Sequence, residues 1–306
     1  MNGRFKINFR YTSHKYILII FSLLIKNNVI GNIFLNMKLI RKEASFEDGI
    51  INYYDKGTGP AIIFLHGYLE SSEVWFDFMD SFPTTFRTLA IDLPGHGKSG
   101  IFGDEHSMEF MAEAVRKVMD NEGIEKGMIT GHSMGGYVAL AFLGKYTSRL
   151  HAYCLFHSHP FADTEEIIEN RKREIKVVES GKKDVIYPVN VPRMFADFNT
   201  GIFEKELERH KEIASNISES GIIAVLKGMI KRPSRLLLLE KSEVPLLFIL
   251  GRHDNYIPFE QIKEGLTLPP GSELVVLEKS GHLGFIEEKE KSTEAIINYF
   301  ERLINN

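Results

Sequence analysis

Short runs in which every position is apolar alternate along this chain with longer segments whose apolar residues recur every three or four positions. Ala61–Leu65, Arg87–Ile91, Met128-Ile129-Thr130, Leu150–Phe156, residues 244–250 and Glu273–Leu277 read as strands, most of them apolar enough to be covered on both faces. Met108–Asn121 reads as a helix capped by Ser107, because Phe110, Met111, Ala114, Val115 and Val118 fall on one face. Lys289–Ile304 likewise turns Ala295, Ile296, Tyr299, Phe300 and Leu303 inward, and Ser71 or Ser72 caps a short helix through Phe78. Near the start, residues 38–46 and 49–54 pair as a hairpin around Glu47-Asp48-Gly49, and Gly57-Thr58-Gly59-Pro60 turns the chain into Ala61–Leu65. Strand and helix alternate in this way to Phe156. That order predicts an α/β fold with a mostly parallel sheet flanked by helices on both faces.

The alternation stops between residues 160 and 242. Charged helices are expected there at 164–180, 203–218 and 221–231, with the irregular piece Tyr187-Pro188-Val189-Asn190-Val191-Pro192 after the first. Their charges face solvent, and Met194, Phe195, Phe198, Ile222, Leu226 and Met229 are expected to face inward and wall an apolar pocket. The α/β core is then 37–159 together with 243–306. Residues 1–36 stand apart: Arg4, Lys6, Arg10 and Lys15 precede the apolar run from Tyr16 to Ile25. A signal or membrane anchor has this order of charge and grease, but the run is too short to span a bilayer and no small-x-small cleavage site follows. An over-extended start, with Met37 as the natural one, is the favoured expectation, and a real structural element is the third.

Composition narrows the class. With 43% hydrophobic and 25% charged residues over 306 positions, the chain has the makeup of a globular enzyme with one large domain or a domain plus an insertion. A net charge of −4 offers no electrostatic reason to bind nucleic acid or an anionic membrane surface. Cys154 is the only cysteine, so no intrachain disulfide forms; it sits in an apolar run and reads as a small buried residue. A cytoplasmic location is expected, with anchoring or export through residues 1–36 as the alternative. Oligomeric state is left open.

The chemistry gathers at Gly131-His132-Ser133-Met134-Gly135-Gly136, entered by an apolar strand and left by the helix-forming run Tyr137 to Leu143. Strand, G-x-S-x-G, helix is the pattern of a nucleophile elbow, where a tight turn lifts the serine hydroxyl above a sheet. A serine needs a base to take its proton and a carboxylate to orient that base, and in this arrangement they follow in the order acid, then histidine. Asp254 follows the strand at 244–250 and is assigned as the acid; His282 follows Glu273–Leu277 and is assigned as the base. Both lie past the C-terminal ends of strands, where open α/β sheets bind ligands. The plainer readings are a turn or cap aspartate and a surface-loop histidine. Two N–H groups, of Met134 after the nucleophile and of Tyr68 after Ala61–Leu65, are assigned to the oxyanion hole. His132 and His96 are other histidines in glycine-rich loops. His157 and His159 form an H-x-H pair, but no third ligand follows at a recognisable spacing, so no metal is expected.

Five motifs in order, Phe64-Leu65-His66-Gly67, Asp92 to Ser99, Gly131 to Gly136, Gly251-Arg252-His253-Asp254 and Ser280-Gly281-His282, make the chain resemble the α/β-hydrolases of the serine esterase, haloperoxidase-like branch. The resemblance covers about residue 50 to the C-terminus. It implies an α/β-hydrolase fold, with a helical cap, 160–242, inserted after the sixth strand, and Asp92 as a loop-shaping rather than catalytic residue. Ser133 argues against the dehalogenases and epoxide hydrolases, which carry aspartate at the elbow. The lipase H-G-G-G motif is absent, since Tyr68-Leu69-Glu70 follows His66-Gly67. Some relatives take the acid from the end of the preceding strand, but here that strand ends in His157-Ser158-His159, which favours Asp254. The expectation is a serine hydrolase acting on a small ester or related acyl substrate through an acyl-enzyme, without metal or organic cofactor. Alternatives are a carbon–carbon bond hydrolase, thioesterase or perhydrolase with the same triad, or a non-catalytic ligand-binding member of the fold. Substrate-contacting residues are not legible from the sequence.

Overall fold

Eight strands pair into one sheet in a computed structural model of the chain, which describes residues 38–304. The readings for residues 1–36 lie outside the described residues. The strands are β1 (Ile40–Phe46), β2 (Gly49–Gly57), β3 (Ala61–Leu65), β4 (Arg87–Ile91), β5 (Gly127–His132), β6 (Leu150–Phe156), β7 (Leu246–Gly251) and β8 (Glu273–Leu277), in the spatial order β1-β2-β4-β3-β5-β6-β7-β8. The β1/β2 and β2/β4 pairs are antiparallel, and every other pair is parallel. Hydrophobicity tracks this order. β3, β5 and β7 are buried at every position, whereas edge strand β1 alternates and edge strand β8 is half-exposed along most of its length. The first hairpin turns on Glu47 and Asp48, with Glu47 at φ 48°; Gly49 already pairs with Phe46, so it belongs to β2 and not to the turn.

Helix α1 (Met108–Asn121) begins where Ser107 Oγ accepts the Phe110 N–H, and it buries Met111, Ala114, Val115 and Val118, leaving Phe110 half-buried. Helix α2 (Met134–Tyr146) is buried all round from Met134 to Leu143, as suits a helix between the sheet and its neighbours. Three further helices, α3 (Glu165–Glu179), α4 (Glu204–Ser215) and α5 (Glu219–Lys231), lie between β6 and β7 in the chain, and α6 (Lys289–Ile304) packs Ile296, Tyr299 and Phe300 against the sheet. The irregular piece after α3 forms the short helix Tyr187–Asn190 and a 3-10 turn, Pro192–Met194. Met194, Phe195, Ile222, Leu226 and Met229 are buried as expected. Phe198 is not: it is 54% exposed, its ring edge against His253, because apolarity alone does not tell a loop residue which way to point. Among the described residues no single helix is long and apolar enough to cross a membrane; α4 and α5 reach that length only as a pair bent by 95°.

Asp92, after β4, accepts from Ser72 N–H, Asn52 Nδ2 and Lys98 N–H, each at 2.8 Å. It knits the loop, as the resemblance implied. A side chain on Gly97 would collide with it.

Candidate active site

The C-terminal ends of four strands deliver the expected residues: Tyr68 past β3, Ser133 and Met134 past β5, Asp254 past β7 and His282 past β8. Past β5 the chain turns sharply at Ser133, whose backbone sits at φ 50° and ψ −113°, a region costly for any residue with a β-carbon. The turn is possible because its neighbours have no side chains: a β-carbon on Gly131 would lie 2.2 Å from the Gly135 carbonyl oxygen, and one on Gly135 would lie 2.4 Å from that of Leu65. The first turn of α2 thus runs against the end of β3. Between Gly127 and Leu143 every residue is buried except Ser133. Cys154, on β6, is buried and its thiol is pushed well up by burial, as befits an inert residue.

Asp254, past β7, and His282, past β8, meet directly: His282 Nδ1 lies 2.7 Å from Asp254 Oδ2, with both side chains almost wholly buried. The other oxygen, Oδ1, accepts the Tyr256 and Ile257 N–H groups at 2.8 and 2.9 Å. Burial works to raise this carboxyl, but His282 and His157 beside it hold it well below the usual carboxylate range. An ionised acid of this kind fixes the Nδ1–H tautomer of His282 and leaves Nε2 free to accept a proton. The backbone around His282 is held from every side. Its N–H donates to Met194 O at 2.6 Å, its carbonyl accepts from His132 Nε2 at 2.8 Å, and Glu287 Oε2 accepts the Gly281 and Leu283 N–H groups at 2.8 and 3.3 Å. The ring of His132, next to Ser133, packs 4.7 Å from the His282 ring between centroids. The elbow and the histidine loop are therefore seated together.

The H-x-H pair goes to other work. His157, at φ 47°, donates from Nδ1 to Asp254 Oδ2 at 3.2 Å, while its Nε2 accepts the Gly284 N–H at 3.1 Å. The Gly251 N–H also approaches Nδ1 at 3.1 Å, but a neutral ring has one proton to place and the carboxylate is its stronger partner. Burial depresses His157 to about 4, so the ring is neutral near pH 7. His157, Asp254 and His282 present ligand atoms within 4.8 Å of one another, the spacing of a metal site. Metal binding there would require stripping Nδ1–H from both rings, and the Gly284 N–H holds His157 in the opposite tautomer. His159 faces Tyr137 OH with Nε2 and accepts the Phe161 N–H at Nδ1, each at 3.2 Å.

The Tyr68 hydroxyl donates to Glu174 Oε1 of α3 at 2.8 Å. Sequence reasoning missed Glu70, Glu287 and the supporting parts of His132 and His157. Glu70 had one visible signal: it is a carboxylate three residues past Gly67, in the turn Tyr68-Leu69-Glu70-Ser71 that follows β3.

Residues 60–289 match the model of the α/β-hydrolase fold family. The chain belongs to that family and is a serine hydrolase of that fold. It is 28% identical over 262 residues to the AB hydrolase superfamily protein YisY of Bacillus subtilis, covering 80% of this chain and 93% of that one. It is also 28% identical to a pimeloyl-[acyl-carrier protein] methyl ester esterase of Aeromonas hydrophila, over 80% of this chain and 96% of the relative. Among solved structures, a thermophilic esterase from Thermogutta terrifontis superposes with a TM-score of 0.81 at 28% identity, covering 87% of this chain and 99% of that one.

Proposed function

We propose that this hydrolase cleaves a small carboxylic ester through an acyl-enzyme. Ser133 is the nucleophile, His282 the general base and acid, and Asp254 the orienting carboxylate; the N–H groups of Tyr68 and Met134 are the oxyanion donors. The observation that carries the reading is the buried 2.7 Å bond from His282 Nδ1 to Asp254, together with the strained elbow at Ser133, whose neighbour His132 packs its ring 4.7 Å from that of His282. In the first half-reaction His282 Nε2 takes the hydroxyl proton as Ser133 Oγ bonds to the ester carbonyl. The carbonyl oxygen becomes an anion facing the two N–H groups, and the C–O bond to the alcohol breaks as His282 returns the proton to it. Water repeats the cycle on the acyl-enzyme and releases the acid and free Ser133. None of these steps calls on a metal or organic cofactor.

Residues 160–242 serve in this reading as a cap that shapes the acyl pocket. Supporting it, Tyr68 OH bonds to Glu174, His282 N–H to Met194 O, and Tyr256 OH to Asn190 O at 2.9 Å, so this segment touches three of the site's loops. The relatives include an ester hydrolase and the carbon–carbon bond hydrolase 2-hydroxy-6-oxononadienedioate/2-hydroxy-6-oxononatrienedioate hydrolase of Pseudomonas. Both chemistries fit the same relay, and a graded panel of esters run beside a diketone, which can be hydrolysed only at a carbon–carbon bond, separates them.

Ser133→Ala should keep its fold and melting temperature and lose turnover of a short p-nitrophenyl ester by roughly 10⁴- to 10⁶-fold. A fluorophosphonate probe should label the parent chain at Ser133. Turnover surviving in the alanine variant would overturn the assignment.

A further inference from the structure

One buried carboxylate touches both the oxyanion loop and the elbow, although it belongs to no triad. Glu70 Oε2 accepts the Gly67 N–H at 2.5 Å and faces His132 Nδ1 at 2.9 Å, and both side chains have zero exposure. His132 Nε2 then reaches the His282 carbonyl at 2.8 Å. These bonds join residues 62 and 150 positions apart in the chain. We propose that Glu70 and His132 form a buried carboxylate–imidazolium pair that positions the oxyanion loop and the base-bearing loop about the nucleophile. The inference rests on the serine-hydrolase reading above and adds two positioning residues to it.

The protonation follows from the partners. A carbonyl oxygen accepts and never donates, so Nε2 must carry hydrogen to bond to His282. Nδ1 faces a carboxylate oxygen that already accepts a backbone N–H, so it carries hydrogen too, and a ring with both nitrogens protonated is a cation. Burial lowers His132 and the adjoining Glu70 more than restores it, leaving it raised; burial raises Glu70, and His132 brings it down to about 2. Each partner is ionised because the other is.

Stability is a poor reason for such a pair, since a buried ion pair is often matched or bettered by apolar residues of similar size. The surroundings would suit them: the His132 ring lies 5.1 Å from Phe285 and 6.3 Å from Trp75 between centroids. Nor is the carboxylate arranged to satisfy itself, for its Oε1 is buried without a hydrogen-bond partner. What the geometry accomplishes is placement. Oε2 fixes the amide of Gly67, one residue before the proposed oxyanion donor Tyr68, and no larger residue fits there, because a β-carbon on Gly67 would lie 2.9 Å from both Glu70 Oε2 and His132 Nδ1. His132 fixes the carbonyl of the base itself. The charges also need each other, since a lone cation 4.7 Å from the His282 ring would oppose the imidazolium that catalysis forms there.

The test uses the full chain. In ¹⁵N spectra of the parent protein near neutral pH, both His132 ring nitrogens should resonate as in imidazolium. A neutral-ring pattern would overturn the proposal whether or not any variant folds. Glu70→Gln should lower kcat on the p-nitrophenyl ester about 10- to 100-fold, as an ångström-scale misplacement does, with KM within about twofold. It should also shift the Gly67 and Tyr68 amide signals. Glu70→Gln combined with His132→Gln should lose no more kcat than the worse single variant, the mark of two residues acting as a unit. A folded Glu70→Gln protein with unchanged kcat, or one that only melts earlier, would sink the positioning role. If the parent chain neither turns over nor labels with fluorophosphonate, the hydrolase reading fails instead, and the ring and amide signals still decide the pair.

Discussion

Glu70 and His132 tie the stability of the site to pH from two sides. Glu70 titrates below its ordinary value of 4.5, at about 2, so its contribution is complete above pH 4.5 and is lost as pH falls toward 2. His132 titrates above its ordinary 6.5, so its contribution is complete below that value and is lost as pH rises through the raised pKa. These are two views of one interaction and are counted once, on the order of 3 kcal/mol. The difference in unfolding free energy between the parent and Glu70→Gln should therefore be largest between pH 4.5 and 6.5 and shrink on both sides. Urea titrations at a series of pH values measure it. A difference that stays flat from pH 3 to pH 9 would mean the pair is not ionised. Asp254, also held down, carries its own acid-labile contribution, which is why the comparison must be between two proteins and not of one protein with itself.

At the scale of elements, the residues proposed as the triad could be picked out because each sits in a local signature: an apolar run, a turn of small residues, then the candidate side chain. The elbow's glycines, Asp254 after β7 and His282 after β8 need only the sequence within a few residues. Glu70 could not be read that way, since its meaning comes from a ring 62 positions away that sheet order alone brings near. The H-x-H pair parts for a related reason: His157 and His159, two positions apart on leaving β6, diverge, one toward Asp254 and the other toward Tyr137. Phe198 fails because a 3-10 turn has no sustained face to bury. Contact between α3 and the loop of Tyr68 was equally hidden, and it carries a prediction. Tyr68→Phe removes the hydroxyl that donates to Glu174 but keeps the backbone N–H. Burial raises the Glu174 carboxyl, so a lost partner leaves a poorly solvated acid. Tyr68→Phe should cost about 1 kcal/mol of stability and raise KM several-fold, with kcat changed little. A large fall in kcat at constant KM would mean that the side chain, and not the main chain, serves the transition state.

Across the whole molecule, the segment from 160 to 242 must leave the sheet after β6 and return before β7 without loosening the edge that carries the site. One carboxylate does much of this. Asp163, at the departure, accepts Arg171 Nε of α3 at 2.7 Å through Oδ2 and Arg232 Nη1, just past α5, at 2.7 Å through Oδ1. Its side chain is 1% exposed and that of Arg232 4%. The Arg232 guanidinium also lies 3.8 Å over the ring of Tyr137, on the helix that Ser133 opens. Departure, first helix and return are thereby fastened to one another and to α2. Asp163→Ala would leave two guanidinium groups without their shared anion, one of them fully buried, and breaking a buried pair from one side costs about 3–5 kcal/mol. For a domain of this size that is a fall in melting temperature of roughly 6–20 °C. Because the fastening is local to the segment, protease cuts should appear first between residues 160 and 242, with the sheet strands intact. The strained Ser133 backbone, held from β3, β5 and α2, should still accept a fluorophosphonate label below the new melting point. A variant that melts within a degree of the parent would show that apolar packing by Phe195, Leu226 and Met229 holds the segment without Asp163, and that the two arginines find other anions when it is gone.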